Sequence, residues 1–324
     1  MPKLTSSQIE LFNEEGYLVV ERLFDPKKDL QPVIEEYKGV LDRLAAELFA
    51  KGQVASTHAD LPFSERLIRF YQESGRVLHQ YFDFTLPTRN IKPDTPIWVG
   101  PAIFDILHNE RLLDVVESLI GPEIYSNPIQ HVRLKLPEDR ALRDSNGQIL
   151  DGITAWHQDN GVFLPEADAT SMLTIWFPLW DAPIEAGCLQ VIPRSKNRGL
   201  YDHCPMAKGG VSIPDKLLQS EAPVPVPLNQ GDALIMHRLT CHASLPNHSQ
   251  NIRWSLDLRY HPIGQATGRG IFPGFVARSR ARPETELHDA KKWAEMWYET
   301  RRTLAGVNDP RPAHRWNTEA EVCA

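Results

Sequence analysis

No stretch of the 324-residue chain approaches the roughly eighteen consecutive apolar residues that a membrane-spanning helix needs. The opening MPKLTSSQIE likewise lacks the apolar centre of a secretory leader. A cytoplasmic protein without membrane contact is therefore expected. Cysteine is scarce: Cys188, Cys204, Cys241 and Cys323 show no CxxC spacing, which excludes a zinc knuckle and a dense disulfide framework. Four reduced thiols are the expectation. Positive charge is in short supply too, 35 Lys and Arg against 42 Asp and Glu, so a formal net charge of −7 offers no field to gather phosphate backbones. That excludes a general nucleic-acid binder. Internal repeats and low-complexity tracts are missing, and the 42% hydrophobic content is that of a globular chain with a sizeable core.

The first third reads as helical. Ser7 with Glu10 has the spacing of a capping box ahead of Ile9, Leu11 and Phe12, and Gly16 closes that helix before a strand over 17–24. Over 30–50, Val33, Tyr37, Val40, Leu41, Leu44 and Leu48 recur at helical spacing and form one stripe suited to packing on a sheet. Further helices are predicted over 64–81 and 102–120, the latter ended by Gly121 and Pro122. Between them, the Pro-rich aromatic stretch 82–100 reads as a loop able to wall a pocket. From Ile124 the pattern turns strand-like, with candidates at 124–136, 153–158, 171–180, 188–193, 222–228, 232–237, 239–245 and 252–260. Eight short strands suit a jelly roll, giving a mainly β fold with packed α-helices. The loop at 137–152 is long enough for a lid, and a plain surface excursion fits its length equally. Over 284–304, Trp293, Met296, Trp297 and Leu304 share a helical face, to be covered by the barrel or by a second subunit of a homo-oligomer. The expected organisation is one domain over 1–324, mainly helical over 1–121, jelly roll over 122–262, with a C-terminal loop and helix over 263–324.

The chemistry concentrates in Thr154 to Gly161, TAWHQDNG. In an extended strand, side chains at i and i+2 share a face, so His157 and Asp159 would converge on one point. His242, in Cys241-His242-Ala243-Ser244, supplies a third ligand. Two imidazoles and one carboxylate leave three octahedral positions open, the arrangement that suits non-haem Fe(II) and O2 chemistry. In the run 253–259, Arg253, Ser255, Asp257 and Arg259 alternate with Trp254, Leu256 and Leu258. An arginine fork beside the Ser244 hydroxyl is a donor set for a carboxylate.

His157-x-Asp159, His242, Ser244 and Arg253 at these spacings resemble the phytanoyl-CoA dioxygenase family of Fe(II)- and 2-oxoglutarate-dependent oxygenases. Family-like segments extend over most of the chain, from LTSSQIELFNEEGYLVV through LLDVVESLIGPEI, TIWFPL and AGCLQVIP to LDLRY. One departure is Arg194-Ser195-Lys196 after Pro193, where the family often has Gly-Ser-His; the role of that loop does not carry over. Retention of Asp159 separates the chain from related halogenases. The resemblance implies a cupin-like double-stranded β-helix in a single oxygenase domain. It further implies Fe(II) on His157, Asp159 and His242, and the distal carboxylate of 2-oxoglutarate on Arg253 and Ser244. Gln130 matches a glutamine that hydrogen-bonds the cosubstrate, with Trp176 beside it. O2 would take the last metal position, and oxidative decarboxylation to succinate and CO2 would drive oxidation of a small molecule, most often its hydroxylation.

Other residues leave alternatives open. His237 lies five residues before His242, so in one uninterrupted strand the two face opposite ways, and Ser244 and Arg253 key on His242. His131 and Arg133 follow Gln130 on an inner strand and either touch substrate or are buried with satisfied hydrogen bonds. Trp98, Trp156, Phe163 and the arginines of 269–282 are further pocket candidates, against a solvated loop for the arginines. His203 and His261 carry no spacing signal, and His248, in the turn Pro246-Asn247-His248-Ser249, reads as a surface residue. No residue identifies a coenzyme A thioester, so a metabolite or natural-product intermediate is the expected substrate. Two other classes fit the same fold: a non-catalytic metal-binding or sensor protein, and a cupin-type metal enzyme that does not use 2-oxoglutarate.

Overall fold

The computed structural model describes residues 3–150, 152, 154–206, 210–307 and 314–323. In chain order its helices and strands are α1 (Ser6–Glu15), β1 (Tyr17–Val20), α2 (Gln31–Ala50), α3 (Phe63–Ser74), α4 (Pro101–Leu107), α5 (Glu110–Ile120), β2 (Glu123–Ser126), β3 (His131–Lys135) and the short turn α6 (Asp159–Val162). Then follow β4 (Leu173–Pro178), β5 (Leu189–Val191), β6 (Cys204–Pro205), β7 (Val211–Ser212), β8 (Val224–Val226), β9 (Ala233–His237), β10 (His242–Ser244), β11 (Arg253–Pro262), β12 (Phe275–Ser279) and α7 (Ala290–Leu304). A large antiparallel sheet runs β1-β9-β4-β11-β2-β12, with β3 pairing β11 beside β2. A smaller sheet, β10-β5-β8, supplies the other layer of the expected jelly roll.

The long strand β11 organises both layers. Its odd-numbered residues Arg253, Ser255, Asp257 and Arg259 are buried, and Arg253, Asp257 and Arg259 line an inner cavity. Trp254, Leu256 and Leu258 join the core shared with the helices. Phe63 of α3 stacks on Trp254 at 4.5 Å, and Tyr37 of α2 meets it edge-on at 5.4 Å. The apolar stripe of α2 is buried as its spacing predicts, and its residues Val33 to Leu48 join that core together with residues of α3, α4 and α5.

Several expectations are corrected in detail. The box that opens α1 is Thr5 with Gln8, two residues earlier than Ser7 with Glu10; Gly16 ends the helix at φ 83 as predicted. The helix expected over 102–120 breaks at His108, and Asn109 caps α5 with its side chain on the Arg111 and Leu112 amides. The strand expected over 124–136 is interrupted at 127–130, where the Asn127 side chain accepts from the Ile129 amide in a turn. The strand expected over 153–158, whose first residue lies outside the described residues, reduces to a single bridge between His157 and His242. In the loop 137–152, described except for Asp151, Arg140 pairs with Glu65 of α3 at 2.7 and 2.8 Å. The thiol expectation also fails: Cys204 and Cys323 form a disulfide, while Cys188 and Cys241 are free and buried.

The C-terminal helix packs on its own chain. Trp293 and Trp297 are buried against Phe104 and Phe272, at 5.6 and 5.4 Å between ring centroids. Trp293→Ala should therefore destabilise the protein by about 3–5 kcal/mol, the usual cost of emptying a buried aromatic site. Urea denaturation measures it, and an unchanged midpoint would make the helix an accessory. Among the described residues, no helix is long and apolar enough to cross a membrane.

Candidate active site

Between the two sheets lies a small cavity lined by His157, Thr174, Trp176, Met236, His242, Arg253 and Arg259 among others. His157, Asp159 and His242 meet at its wall, with one ligand atom from each lying within 4.8 Å of the others. The convergence arises differently from the strand argument. His157 is bridged to β10 through reciprocal backbone hydrogen bonds with His242 at 3.0 and 2.9 Å, and the chain then turns into α6, whose first residue is Asp159. A carbonyl can only accept, so the contacts His157 Nδ1 to Ala155 O (2.9 Å) and His242 Nδ1 to Thr240 O (3.0 Å) place the ring proton on Nδ1. Both Nε2 lone pairs remain for a metal, and the two rings stand 4.2 Å apart.

Electrostatics favours the ligating forms. Burial, reinforced by neighbouring His242, pushes the His157 imidazole down to about 3, so it is neutral at physiological pH. Burial by itself would raise Asp159, but Arg259, His242 and His157 together hold its carboxyl well below the usual range. Arg259 Nη2 donates to Asp159 Oδ1 at 2.6 Å, and the Thr174 hydroxyl donates to Oδ2. Arg259 is fixed in turn by Asp257 at 3.0 Å and by the Ile129 carbonyl at 2.7 Å. The donor set, two imidazoles whose Nδ1 atoms are engaged by carbonyls and one ionised carboxylate, fits an iron-type divalent cation.

At the other end of the cavity Arg253 is buried, and its Nε has no hydrogen-bond partner among the described residues. Nη1 donates to Ser255 Oγ at 2.5 Å, and the guanidinium lies 5.6 Å from the centre of the Trp176 ring. Ser244 is on the same side, but its hydroxyl accepts from Lys135 Nζ at 2.8 Å and from the Thr154 amide at 3.1 Å. Lys135 was not foreseen. It stands directly across from Arg253 in the β3–β11 register and is likewise buried, so two cations share one face. Its alternation with Arg133 was the only signal in the sequence. A buried guanidinium with an open donor, a second cation and a hydroxyl fit a carboxylate.

The remaining candidates separate. Arg133 lines the cavity with its guanidinium on Asp257 at 2.9 Å. His131 donates to buried Asp83 at 2.8 Å. Gln130 is buried behind the cavity, donating to Ser126 Oγ at 3.1 Å and accepting from the Arg259 amide at 3.4 Å. Phe163 is core, with Ile129, Ala167 and Met172. Trp156 packs on Ile192, Ile213 and Cys241, and Trp98 is engaged by Glu36 and Arg43, so neither lines the cavity. Of the arginines in 269–282, Arg278 and Arg280 are paired with Glu110, Asp114 and Glu117, and half-buried Arg269 donates to the Val162 carbonyl. His237 sits outside the cluster, its Nδ1 accepting from the Leu239 amide at 3.1 Å. His203, without any spacing signal, proves adjacent: its Nε2 accepts from the Gln158 amide at 3.0 Å.

A jelly roll with two histidines and one carboxylate between its sheets defines the class of non-haem metal oxygenases. A family model described as Phytanoyl-CoA dioxygenase (PhyH) matches residues 12–255. The chain belongs to the phytanoyl-CoA dioxygenase family and is thereby an Fe(II)- and 2-oxoglutarate-dependent dioxygenase acting with O2. Phytanoyl-CoA dioxygenase domain-containing protein 1 of Danio rerio is 24% identical over 269 residues, covering 78% of this chain and 88% of the relative. The 1-deoxypentalenic acid 11-beta-hydroxylase of Streptomyces exfoliatus is 24% identical over 275 residues, covering 78% and 87%. Among solved structures, the carbocyclase SnoK from nogalamycin biosynthesis shares the fold with a TM-score of 0.52 at 16% identity, over 87% of this chain and 90% of that one. EvdO2 from Micromonospora carbonacea var. aurantiaca, complexed with 2-oxoglutarate, does so with a TM-score of 0.51 at 18% identity, over 82% and 94%.

Proposed function

We propose that this protein hydroxylates a small-molecule metabolite or natural-product intermediate, with His157, Asp159 and His242 holding Fe(II). Arg253, Lys135 and Ser244 grip the far carboxylate of 2-oxoglutarate. The observation that carries the cosubstrate assignment is the face shared by Arg253 and Lys135. Like charges directly opposed across two strands repel, and burial makes the repulsion worse, so an anion between them is the arrangement that stabilises both. An iron held by His157, Asp159 and His242 would supply the oxidative chemistry, in which O2 is consumed, one oxygen atom entering succinate as 2-oxoglutarate loses CO2 and the other entering the substrate.

The protein's own residues orient the parts. Arg259 and Thr174 keep Asp159 ionised and aimed, and the Ala155 and Thr240 carbonyls hold both histidines in the ligating tautomer. Trp176 walls the cosubstrate, and Gln130 acts on it from behind through the Arg259 strand. Arg133 is the predicted substrate contact that lines the cavity, and the acid named in the Streptomyces hydroxylase supports an anionic substrate at that residue. Anaerobic titration of the Fe(II) protein with 2-oxoglutarate should produce the weak visible charge-transfer band of the chelate, and the true substrate should stimulate succinate formation. Absence of the band would favour a silent binding protein or a cupin-type enzyme of other chemistry.

Cosubstrate affinity should also depend on pH. Burial first, then Arg253, pushes Lys135 down to about 7, with Glu138 opposing; His79 and Arg133 line the same side of the protein around it. Below that pH the lysine is charged and attracts the carboxylate, whereas above it binding must draw a proton onto Nζ. The dissociation constant for 2-oxoglutarate should therefore rise about tenfold or more from about pH 6 to about pH 8.5. Lys135→Met should flatten the profile. A flat profile in the wild type would remove Lys135 from the anchor.

A further inference from the structure

We infer that Arg315 and Trp316 are positioning residues for the turn that carries Asp159, and that the Cys204–Cys323 disulfide fastens the segment bearing them. The inference rests on the metal assignment proposed above. It concerns a part of the chain beyond residues 12–255, the span matched by the family model.

A helical turn of four residues leaves its carbonyls without intrahelical partners, and here they are buried beside the cavity. The C-terminal segment supplies the donors. Trp316 Nε1 donates to Gly161 O at 2.6 Å. Arg315 Nε and Nη2 donate to Phe163 O at 3.0 and 2.9 Å, and Nη2 reaches Asn160 O at 3.2 Å. Its Nη1 pairs with Asp168 at 2.6 Å, and Asp168 accepts from the Asn160 side chain at 2.9 Å. Three carbonyls within four residues of a metal ligand are thus bonded from one distant segment.

The opposite side of the turn is gripped by the same assembly. The Trp316 ring stacks on His203 at 5.1 Å and 26° between planes, and His203 accepts from the Gln158 amide just before Asp159. Residue 161 must be glycine here, because a Cβ would fall 2.3 Å from His203 Nε2. His203 is the immediate neighbour of Cys204, whose partner Cys323 ends the described part of the segment. The covalent tie and the stacked pair therefore hold the segment at two adjacent residues, Cys204 and His203. Outer partners that orient a metal ligand commonly change metal affinity by about 10–100-fold when removed.

The experiment compares the wild type with Trp316→Phe, Arg315→Gln and the Cys204→Ser/Cys323→Ser pair, all as full-length protein. Trp316→Phe keeps the ring stack and removes only the N–H. Three quantities are read: amide hydrogen exchange over 158–164 in metal-free protein, anaerobic Co(II) affinity with its visible ligand-field spectrum, and Tm. Faster exchange confined to the turn, Co(II) bound about tenfold more weakly, an altered spectrum and a nearly constant Tm are expected, with Arg315→Lys recovering part of the loss. Wild-type exchange, affinity and spectrum in all three variants would overturn the inference and reduce the segment to a surface cover. A general fall in Tm with exchange rising throughout the protein would overturn it too, since that describes stability and not positioning. Should the wild type fail to bind Co(II), the metal assignment falls, while the metal-free exchange comparison still decides whether the segment holds the turn.

Discussion

His242→Ala is expected to purify folded and to bind Fe(II) on the order of a hundredfold more weakly than the wild type, or not at all, with turnover lost in step. The side chain would contribute one of the three proposed ligands, and its Nδ1 bond to Thr240 O is local, so the fold loses little with it. Asp159 is a harder case. Asp159→Ala also takes from the buried Arg259 guanidinium one of its two carboxylate partners, and removing one partner of a buried pair typically costs about 3–5 kcal/mol. Asp159→Asn keeps the volume and an acceptor for Arg259 while removing the charge, so its iron affinity separates ligation from stability. His237→Ala should bind iron nearly as well as the wild type, since that imidazole only accepts from the Leu239 amide. Iron content by metal analysis, with anaerobic titration, measures all four. An active His242→Ala beside an inactive His237→Ala would move the third ligand to the wrong side of β9.

Arg253→Leu is expected to retain iron while its dissociation constant for 2-oxoglutarate rises about a hundredfold or more. The variant leaves the distal carboxylate without its bidentate cation in a buried cavity, a loss of the order of 3–5 kcal/mol. Arg253→Lys should keep part of the affinity, because a point charge replaces a two-pronged donor. Lys135, 2.8 Å from Ser244, supplies the residual attraction, so Arg253→Leu with Lys135→Met should lose more than either change by itself. Equal cosubstrate affinity in wild type and Arg253→Leu would place the anchor elsewhere. Arg259, on the same face of β11, would be the next candidate: its Nη atoms are engaged by Asp159, Asp257 and Ile129, and its Nε has no hydrogen-bond partner among the described residues. Loss of iron together with cosubstrate would instead make Arg253 structural.

Most of the candidate site was legible because its parts follow short-range rules. The two-residue period of an extended chain put Arg253, Asp257 and Arg259 on one face of β11 and Trp254, Leu256 and Leu258 on the other, and the structure keeps that division. His157, Asp159 and His242 do meet, although the strand geometry invoked for the first two was wrong: a backbone bridge to His242 and a helical turn bring them together. The aromatic candidates fared worse. Trp98, Trp156 and Phe163 are apolar enough for a pocket or a core, and a one-dimensional pattern has no term for which of the two lies beneath a given ring.

The sequence by itself determined the class of chemistry, the periodicity of the strands and the stripe of α2, since each depends on residue type and spacing along a few turns or pleats. Only the tertiary structure decided what faces what across long separations. The register of β3 against β11 sets Lys135 opposite Arg253, and the packing of β11 joins Arg259 to Asp159, a hundred positions away in the chain. The return of the C-terminal segment brings Trp316 to Gly161 and Cys323 to Cys204. None of these pairings has a local signature, because a buried cation, a lone tryptophan or a single cysteine acquires its partner from the closing of the fold and not from its neighbours in the chain.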